Sequence, residues 1–183
     1  MDTAQRRLSD QIDDATQRLL STARAIPESD LRAPSMLPGW TRGHVLAHLA
    51  RSADAMRSLL IGARDGQDRP AYASAESRAA DIEQGASQSP ADLAADVASS
   101  AMALRTFAAR LPGPAWQYQV QVLGSAPFPA AQLLVRRLVE VELHHCDLAL
   151  AYRPARWPDA FTEMELPEPM RSQRQDRLSR AQP

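Results

Sequence analysis

The stretch PAAQLLVRRLVEVELHHCDLALAY, residues 129–152, decides the fold of this chain. On a helical wheel its apolar side chains cover a wide arc, which is typical of a helix that is buried on most of its surface. Pro127 and Pro129 precede the periodic part, and proline is tolerated before a helix and in its first turn. We therefore expect one long, largely buried helix here, with the remaining elements packed around it.

Three further segments repeat apolar residues three or four positions apart, which is the helical spacing. Thr41 is placed to cap the start of one of them, and Ser89-Pro90 has the order of an N-cap followed by a first-turn proline. The segments span residues 3–26, 41–64 and 90–111. Four long helices with connections of mixed length predict an all-α fold, a four-helix bundle.

Shorter features lie between the long helices and after them. Residues 116–123, WQYQVQVL, alternate polar and apolar side chains, which predicts a short strand or β-hairpin arm before the last helix. The polar, alanine-rich connection 65–88 leaves room for a short helix near 74–84. Residues 166–183 lack an apolar stripe, and we expect them to form a mobile tail.

Two histidines and a glutamate indicate a metal site. Glu140 and His144 are four residues apart, so one face of the last helix presents both side chains in the same direction. His48 lies on the apolar side of the 41–64 helix. If the two helices pack side by side, these groups can converge on one cation. Two imidazoles and one carboxylate form a three-ligand set with an open position, as in catalytic zinc sites.

Other pairings of these residues are compatible with the sequence. A buried glutamate needs a partner, and Arg137 lies one turn before Glu140 on the same face. His48 could then be a hydrogen-bonded core histidine. His44 and His48 form another pair four residues apart, but His44 falls outside the apolar arc of its helix. On the last helix, His145 falls at the opposite edge of the core-facing arc.

Three neighbours of the proposed ligands have less specific patterns. Asp147 lies beside His144 on the wheel and could orient it from behind, although a surface aspartate fits equally well. Glu142 falls toward solvent. Cys146 faces away from Glu140, and we interpret it as a small packing residue.

Composition excludes several classes of function. The 183 residues are 44% hydrophobic and 23% charged, which is typical of one globular domain. A formal net charge of −1 gives no general attraction to nucleic acid or membranes. The single cysteine excludes an intrachain disulfide, and no apolar signal core or membrane span is present, so we expect a cytoplasmic protein. The apolar last helix leaves room for a homodimer.

At two places the sequence resembles the mycothiol-dependent maleylpyruvate isomerase family, within the wider DinB-like metal-binding bundles. LPGWTRGHVLAHLARSADAM (37–56) resembles the family's tryptophan and histidine-leucine segment, with His48 eight residues after Trp40. RRLVEVELHHCDLALAY (136–152) resembles its R-x-x-E-x-x-x-H-x-x-D-L segment. The matching residues there are Arg137, Glu140, His144, Asp147 and Leu148.

The resemblance implies a DinB-like bundle over residues 1–160 in which His48, Glu140 and His144 bind zinc or another divalent metal. It also implies mycothiol as a thiol cosubstrate and a small electrophile as substrate. Arg137 and Asp147 are then candidates for supporting the ligands. The expected reaction is thiolate addition to the electrophile with cis–trans isomerisation.

The resemblance ends near residue 160, and we expect residues 161–183 to be a polar C-terminal tail without the family's second domain. Three other functions therefore stay open at this point. They are a mycothiol S-transferase, a non-catalytic metal-binding bundle, and a metal hydrolase that activates water without a thiol.

Overall fold

The computed structural model describes residues 1–122 and 124–180. Helices dominate this part of the chain, which confirms the predicted all-α class. The α-helices are α1 (Thr3–Arg24), α2 (Glu28–Leu31), α3 (Arg42–Asp65), α4 (Ala75–Ala86), α5 (Pro90–Ala109), α6 (Gln132–Asp147), α7 (Asp159–Thr162) and α8 (Met170–Arg180). No helix in the described ranges combines the length and apolarity that crossing a membrane requires.

The four long helices pack as the predicted bundle. Helix α3 lies against α5, and α1 lies against both α5 and α6. The side of α3 that faces α6 carries the proposed ligand His48. The core consists mainly of leucine, alanine and valine, and α6 contributes Leu133, Leu138 and Val141 to it.

The predicted caps explain where two of these helices begin. The Thr41 side chain accepts a hydrogen bond from the backbone N–H of His44, so the first turn of α3 has a partner for one of its free donors. Ser89 caps α5 in the same way, with Pro90 in the first turn. The short helix expected near 74–84 is α4, which Ser74 caps.

Two glycines let α4 approach α3 closely. A Cβ atom at Gly43 would lie 2.8 Å from the backbone oxygen of Ala86. A Cβ atom at Gly85 would lie 2.8 Å from the Cβ of Ala47. Both separations are too short for carbon contacts, so the small residues are needed at this crossing. The close approach places α4 beside the half of α3 that carries His48.

The segment before α6 is less extended than the alternation predicts. A 3₁₀ turn, Gly113–Gln117, comes first, and β1 (Gln119–Val120) then pairs antiparallel with β2 (Phe128–Pro129). The predicted strand thus shortens to two residues, and its last residue, Leu123, lies outside the described residues. Helix α6 is also shorter than predicted, and it ends near Ala149, which has a left-handed backbone (φ 56°).

The prediction of a mobile tail for 166–183 is wrong for the part that the structure describes. Most of it forms α8, which packs against α6. Leu166 and Met170 are buried in the core, and Arg177 forms an ion pair with the buried Asp147. Two apolar anchors and one ion pair hold the segment, and neither produces a periodic apolar stripe in the sequence.

Candidate metal centre

The structure brings together the three side chains that the sequence singled out. His48 projects from the N-terminal third of α3, and Glu140 and His144 project from α6. The Oε2 atom of Glu140 lies 2.8 Å from Nε2 of His48 and 3.6 Å from Nε2 of His144. One potential ligand atom from each residue lies within 4.8 Å of the other two. The three groups therefore face a common point between the two helices.

These separations suit a small divalent cation. Bonds of about 2.0 Å in a tetrahedral arrangement place neighbouring ligand atoms roughly 3.3 Å apart. The distances from Glu140 to His48 and to His144 lie on either side of that value. Imidazole nitrogen and carboxylate oxygen are also donors that zinc accepts, and a set of three leaves one position free. The donor set thus fits a catalytic type of zinc site.

The charges in the cluster depend strongly on one another. Burial alone would raise the pKa of Glu140, but the imidazoles of His48 and His144 outweigh it and hold that pKa well below its ordinary value. Burial likewise opposes the charged form of His144, yet hydrogen bonds to Asp147 and Glu140 raise its pKa to about 9. Burial lowers the pKa of His48, although Glu140 opposes the shift. Without a metal, His144 is therefore the positively charged imidazole of this cluster, and His48 is neutral.

Asp147 supports His144 from behind. Its Oδ2 atom lies 2.9 Å from Nδ1 of His144, so the ring N–H at that position donates to the carboxylate. This arrangement leaves Nε2 of His144 directed at the common point, as a metal ligand requires. Burial would raise the pKa of Asp147, but hydrogen bonds from His144 and Arg177 lower it. Asp147 therefore carries a negative charge although it is only 1% exposed.

Arg137 is not the partner of Glu140 that one interpretation of the sequence made it. Its side chain is fully buried, and Nη1 donates to the backbone oxygen of Leu49 at 2.8 Å. Within the described residues it forms no ion pair with Glu140, and its Nε and Nη2 have no hydrogen-bond partner. Burial lowers its pKa to about 10, with Glu140 opposing the shift. Arg137 thus acts on Glu140 only through its charge and connects α6 to α3.

Arg78, on α4, contacts His48, and the sequence did not predict this contact. Its Nη2 donates to Nδ1 of His48 at 3.1 Å, and Nε2–H of His48 then donates to Glu140. A histidine that binds a metal through Nε2 carries its hydrogen on Nδ1 instead. Metal binding through this atom therefore requires Arg78 to leave His48. The polar, alanine-rich sequence around Arg78 gave no signal for this role.

The other two histidines lie outside the cluster. His44 donates from Nε2 to Glu83 at 2.9 Å, and its Nδ1 accepts from the backbone of Thr41. His145 points to the opposite side of α6, where its Nε2 lies 2.7 Å from the hydroxyl oxygen of Thr22. Neither belongs to the group of potential ligands.

The prediction that Glu142 points to solvent is wrong, because this residue is only 1% exposed. It accepts hydrogen bonds of 2.6 Å from Arg18 of α1 and from the hydroxyl of Tyr152. The wheel defines one buried arc, but α6 is covered on this second side as well, by α1 and the segment after α6. The ring of Tyr152 also stacks on His145 at 3.7 Å. This cluster fastens the far side of α6 and thereby fixes the helix that carries the ligands.

A cavity of about 340 Å³ opens beside His48 and Glu140. Its wall combines apolar side chains with two guanidinium groups and residues of α8. The main contributors are Met56, Leu59, Arg78, Arg136, Met170 and Gln173. A larger groove of about 670 Å³ lies next to it and shares Leu59, Ala71, Tyr72 and Val122 with it. Tyr118, Gln119 and Gln121, which the sequence offered only as weak pocket candidates, line this second groove.

Comparisons with known proteins identify the family and a shared fold. The sequence model of the family described as mycothiol maleylpyruvate isomerase N-terminal domain matches residues 12–149. Two crystal structures of the mycothiol-dependent maleylpyruvate isomerase, one of a histidine-to-alanine mutant, align with TM-scores of 0.81 and 0.80. Each is 25% identical to the chain, and the alignment covers 86% of this chain and 65% of that enzyme. The chain thus spans about two thirds of their length. No curated protein sequence matches it significantly.

Proposed function

The chain belongs to the mycothiol maleylpyruvate isomerase N-terminal domain family, and from this premise we propose that it is a metal-dependent enzyme that uses mycothiol. The proposed reaction is the addition of the thiolate to a small unsaturated electrophile, with cis–trans isomerisation of the maleylpyruvate type. The observation that carries the proposal is the convergence of His48, Glu140 and His144 on one point, beside a cavity that His48 and Glu140 line.

In this proposal the three converging side chains hold one divalent metal, with zinc as the first candidate. When bound, such a metal supplies a Lewis acid that lowers the pKa of a thiol near it. Asp147 keeps the His144 ring in the orientation that presents Nε2. The Glu142 cluster holds α6 against α1 and so fixes the position of the helix that carries Glu140 and His144.

The cavity supplies complementary charge for an acidic electrophile. Arg78 and Arg136 both line it, and Arg78 is the residue that must leave His48 when Nε2 becomes a ligand. The released guanidinium can pair with a carboxylate of the substrate. The Cζ atom of Arg136 lies 4.0 Å from the centre of the Phe128 ring, which holds this second cation beside the cavity. The apolar wall, including Met56 and Leu59, excludes water from the reacting carbons.

The isomerisation balances without any redox partner. The thiolate sulfur forms a bond to one carbon of the cis double bond, and the electron pair moves into the conjugated carbonyl. The former double bond is then single and can rotate. The electron pair returns, the carbon–sulfur bond breaks, and the trans product leaves with the thiolate regenerated. Arg78 and Arg136 stabilise the charge on the substrate during these steps.

The test is an activity assay with the full chain, one equivalent of zinc, mycothiol and maleylpyruvate. We expect formation of the trans isomer to require both zinc and the thiol, and His48→Ala to abolish it while the helical circular dichroism signal is retained. His44→Ala is the matched control, because His44 lies on the same helix but outside the cluster. It should keep the activity.

The products distinguish the other functions. A stable thioether adduct in the mass spectrum would indicate that the protein is an S-transferase and not an isomerase. Turnover of esters or amides without thiol would indicate a hydrolase. A zinc-loaded protein that leaves both mycothiol and maleylpyruvate unchanged would contradict the proposal, as would full activity of metal-free His48→Ala.

A further inference from the structure

Asp147 is held from two directions at the C-terminal end of α6. The His144 ring donates from Nδ1 to its Oδ2 at 2.9 Å. Arg177 of α8 donates from Nη2 to the same oxygen at 2.8 Å and from Nε to Oδ1 at 3.1 Å. Arginine is therefore bidentate on this carboxylate, which fixes both the distance and the plane of the group. Only Asp147 separates Arg177 from the proposed ligand.

The same helix reaches the cavity. Met170 lies two turns before Arg177 and Gln173 lies one turn before it, and both line the cavity beside His48 and Glu140. Arg177 also donates to the backbone oxygen of Gln173 at 3.3 Å, and its side chain is only 12% exposed. Thus α8 touches the candidate centre twice, once at the cavity wall and once behind His144.

We propose that Arg177 is a positioning residue of the metal centre, which holds His144 in its ligating orientation through Asp147. Helix α8 then contributes to metal binding, although it does not itself provide a ligand. The inference rests on the metal centre proposed above but not on the reaction assigned to it.

The physical reason lies in the freedom of the Asp147 side chain. Without Arg177, the carboxylate would be held on this side by the His144 ring alone and could turn about its Cα–Cβ bond. The ring would then lose the fixed acceptor for its Nδ1 hydrogen, which keeps Nε2 directed at the metal position. Fewer molecules would present the three ligands together, and the metal affinity would fall by that fraction.

The test measures zinc affinity of the full chain by competition with a chromophoric chelator. Arg177→Met should weaken binding by about tenfold or more, the range seen when the support of a ligating histidine is removed. Arg177→Lys should recover part of this loss, because it keeps the charge but lacks the two-pronged contact. Arg174→Met is the matched control on α8, since Arg174 donates to the backbone of Phe161 and not to Asp147. It should stay within about twofold of the unmodified chain.

A double-mutant cycle separates positioning from a general effect on folding. In an Asp147→Asn background, Arg177→Met should cost little further affinity, because the connection to His144 is already broken. Unchanged affinity in Arg177→Met would overturn the inference and leave the metal centre standing. Equal losses in Arg177→Met and Arg174→Met would also overturn it, because they would indicate a purely structural role. If the unmodified chain binds no zinc, the proposed function itself fails.

Discussion

Zinc binding at pH 7.5 should release about one proton from His144. In the metal-free protein the hydrogen bonds to Asp147 and Glu140 outweigh burial and raise the pKa of this imidazole to about 9. The Nδ1 hydrogen donates to Asp147, so the hydrogen that a metal displaces is the one on Nε2. The neighbouring His48, whose pKa is lowered mainly by burial, contributes little to this release.

The magnitude follows from the two ionisation states. At pH 7.5 a group with the pKa of about 9 is roughly 97% protonated, whereas an ordinary histidine near 6.5 is roughly 9% protonated. The apparent zinc affinity should accordingly rise about tenfold per pH unit from pH 6.5 to 8.5. For an unperturbed ligand the rise would level off near pH 7.

The assay adds one equivalent of zinc to weakly buffered protein that contains an indicator dye calibrated with acid. Asp147→Asn should reduce the release by more than about half a proton, because the main hydrogen bond that raises the pKa of His144 is weakened. The comparison is between the two proteins, so any proton released by water at the metal in both of them does not affect it. His44→Gln should behave as the unmodified chain. Equal release from the unmodified chain and Asp147→Asn would refute the reasoning.

Three further outcomes follow from the far side of α6. Glu142→Gln should lower the free energy of unfolding in urea by about 2 kcal/mol, because Arg18 and Tyr152 lose a charged acceptor. The loss should stay below the roughly 3–5 kcal/mol of a fully buried pair, since the Arg18 side chain is 36% exposed. Burial, with Arg18 adding to it, lowers the pKa of His145 to about 4, so the folded state binds fewer protons than the unfolded state and stability falls as pH drops from 6.5 to 4. Over that interval the free energy of unfolding of the unmodified chain should fall by on the order of 3 kcal/mol more than that of His145→Gln. Equal losses in the two proteins would contradict this. Burial raises the pKa of Cys146 to about 12, so iodoacetamide should label it only after unfolding, and rapid labelling of the native protein would disagree.

The local signals in the sequence predicted most of the bundle. Thr41 and Ser89 begin helices as expected, because their side chains satisfy free N–H groups within one turn and need no distant partner. The spacing of Glu140 and His144 was equally local. Only His48 required an assumption about packing, and the structure places it opposite Glu140.

The features that the sequence did not predict depend on distant partners. Glu142 is buried against Arg18 of α1, which lies 124 positions away along the chain, and a wheel of α6 contains no information about α1. Arg78 reaches His48 because two glycines let α4 approach α3. Residues 170–180 dock through Arg177, an arginine that looks like an ordinary surface charge in the sequence.

The most direct test of the account is the zinc K-edge X-ray absorption spectrum of the protein loaded with one equivalent of zinc. The account predicts a first shell of nitrogen and oxygen at about 2.0–2.1 Å that includes two imidazoles, from His48 and His144. His48→Ala should reduce the fit to one imidazole. A shell that contains the Cys146 sulfur, a shell without imidazole, or a spectrum that His48→Ala leaves unchanged would contradict the proposed centre.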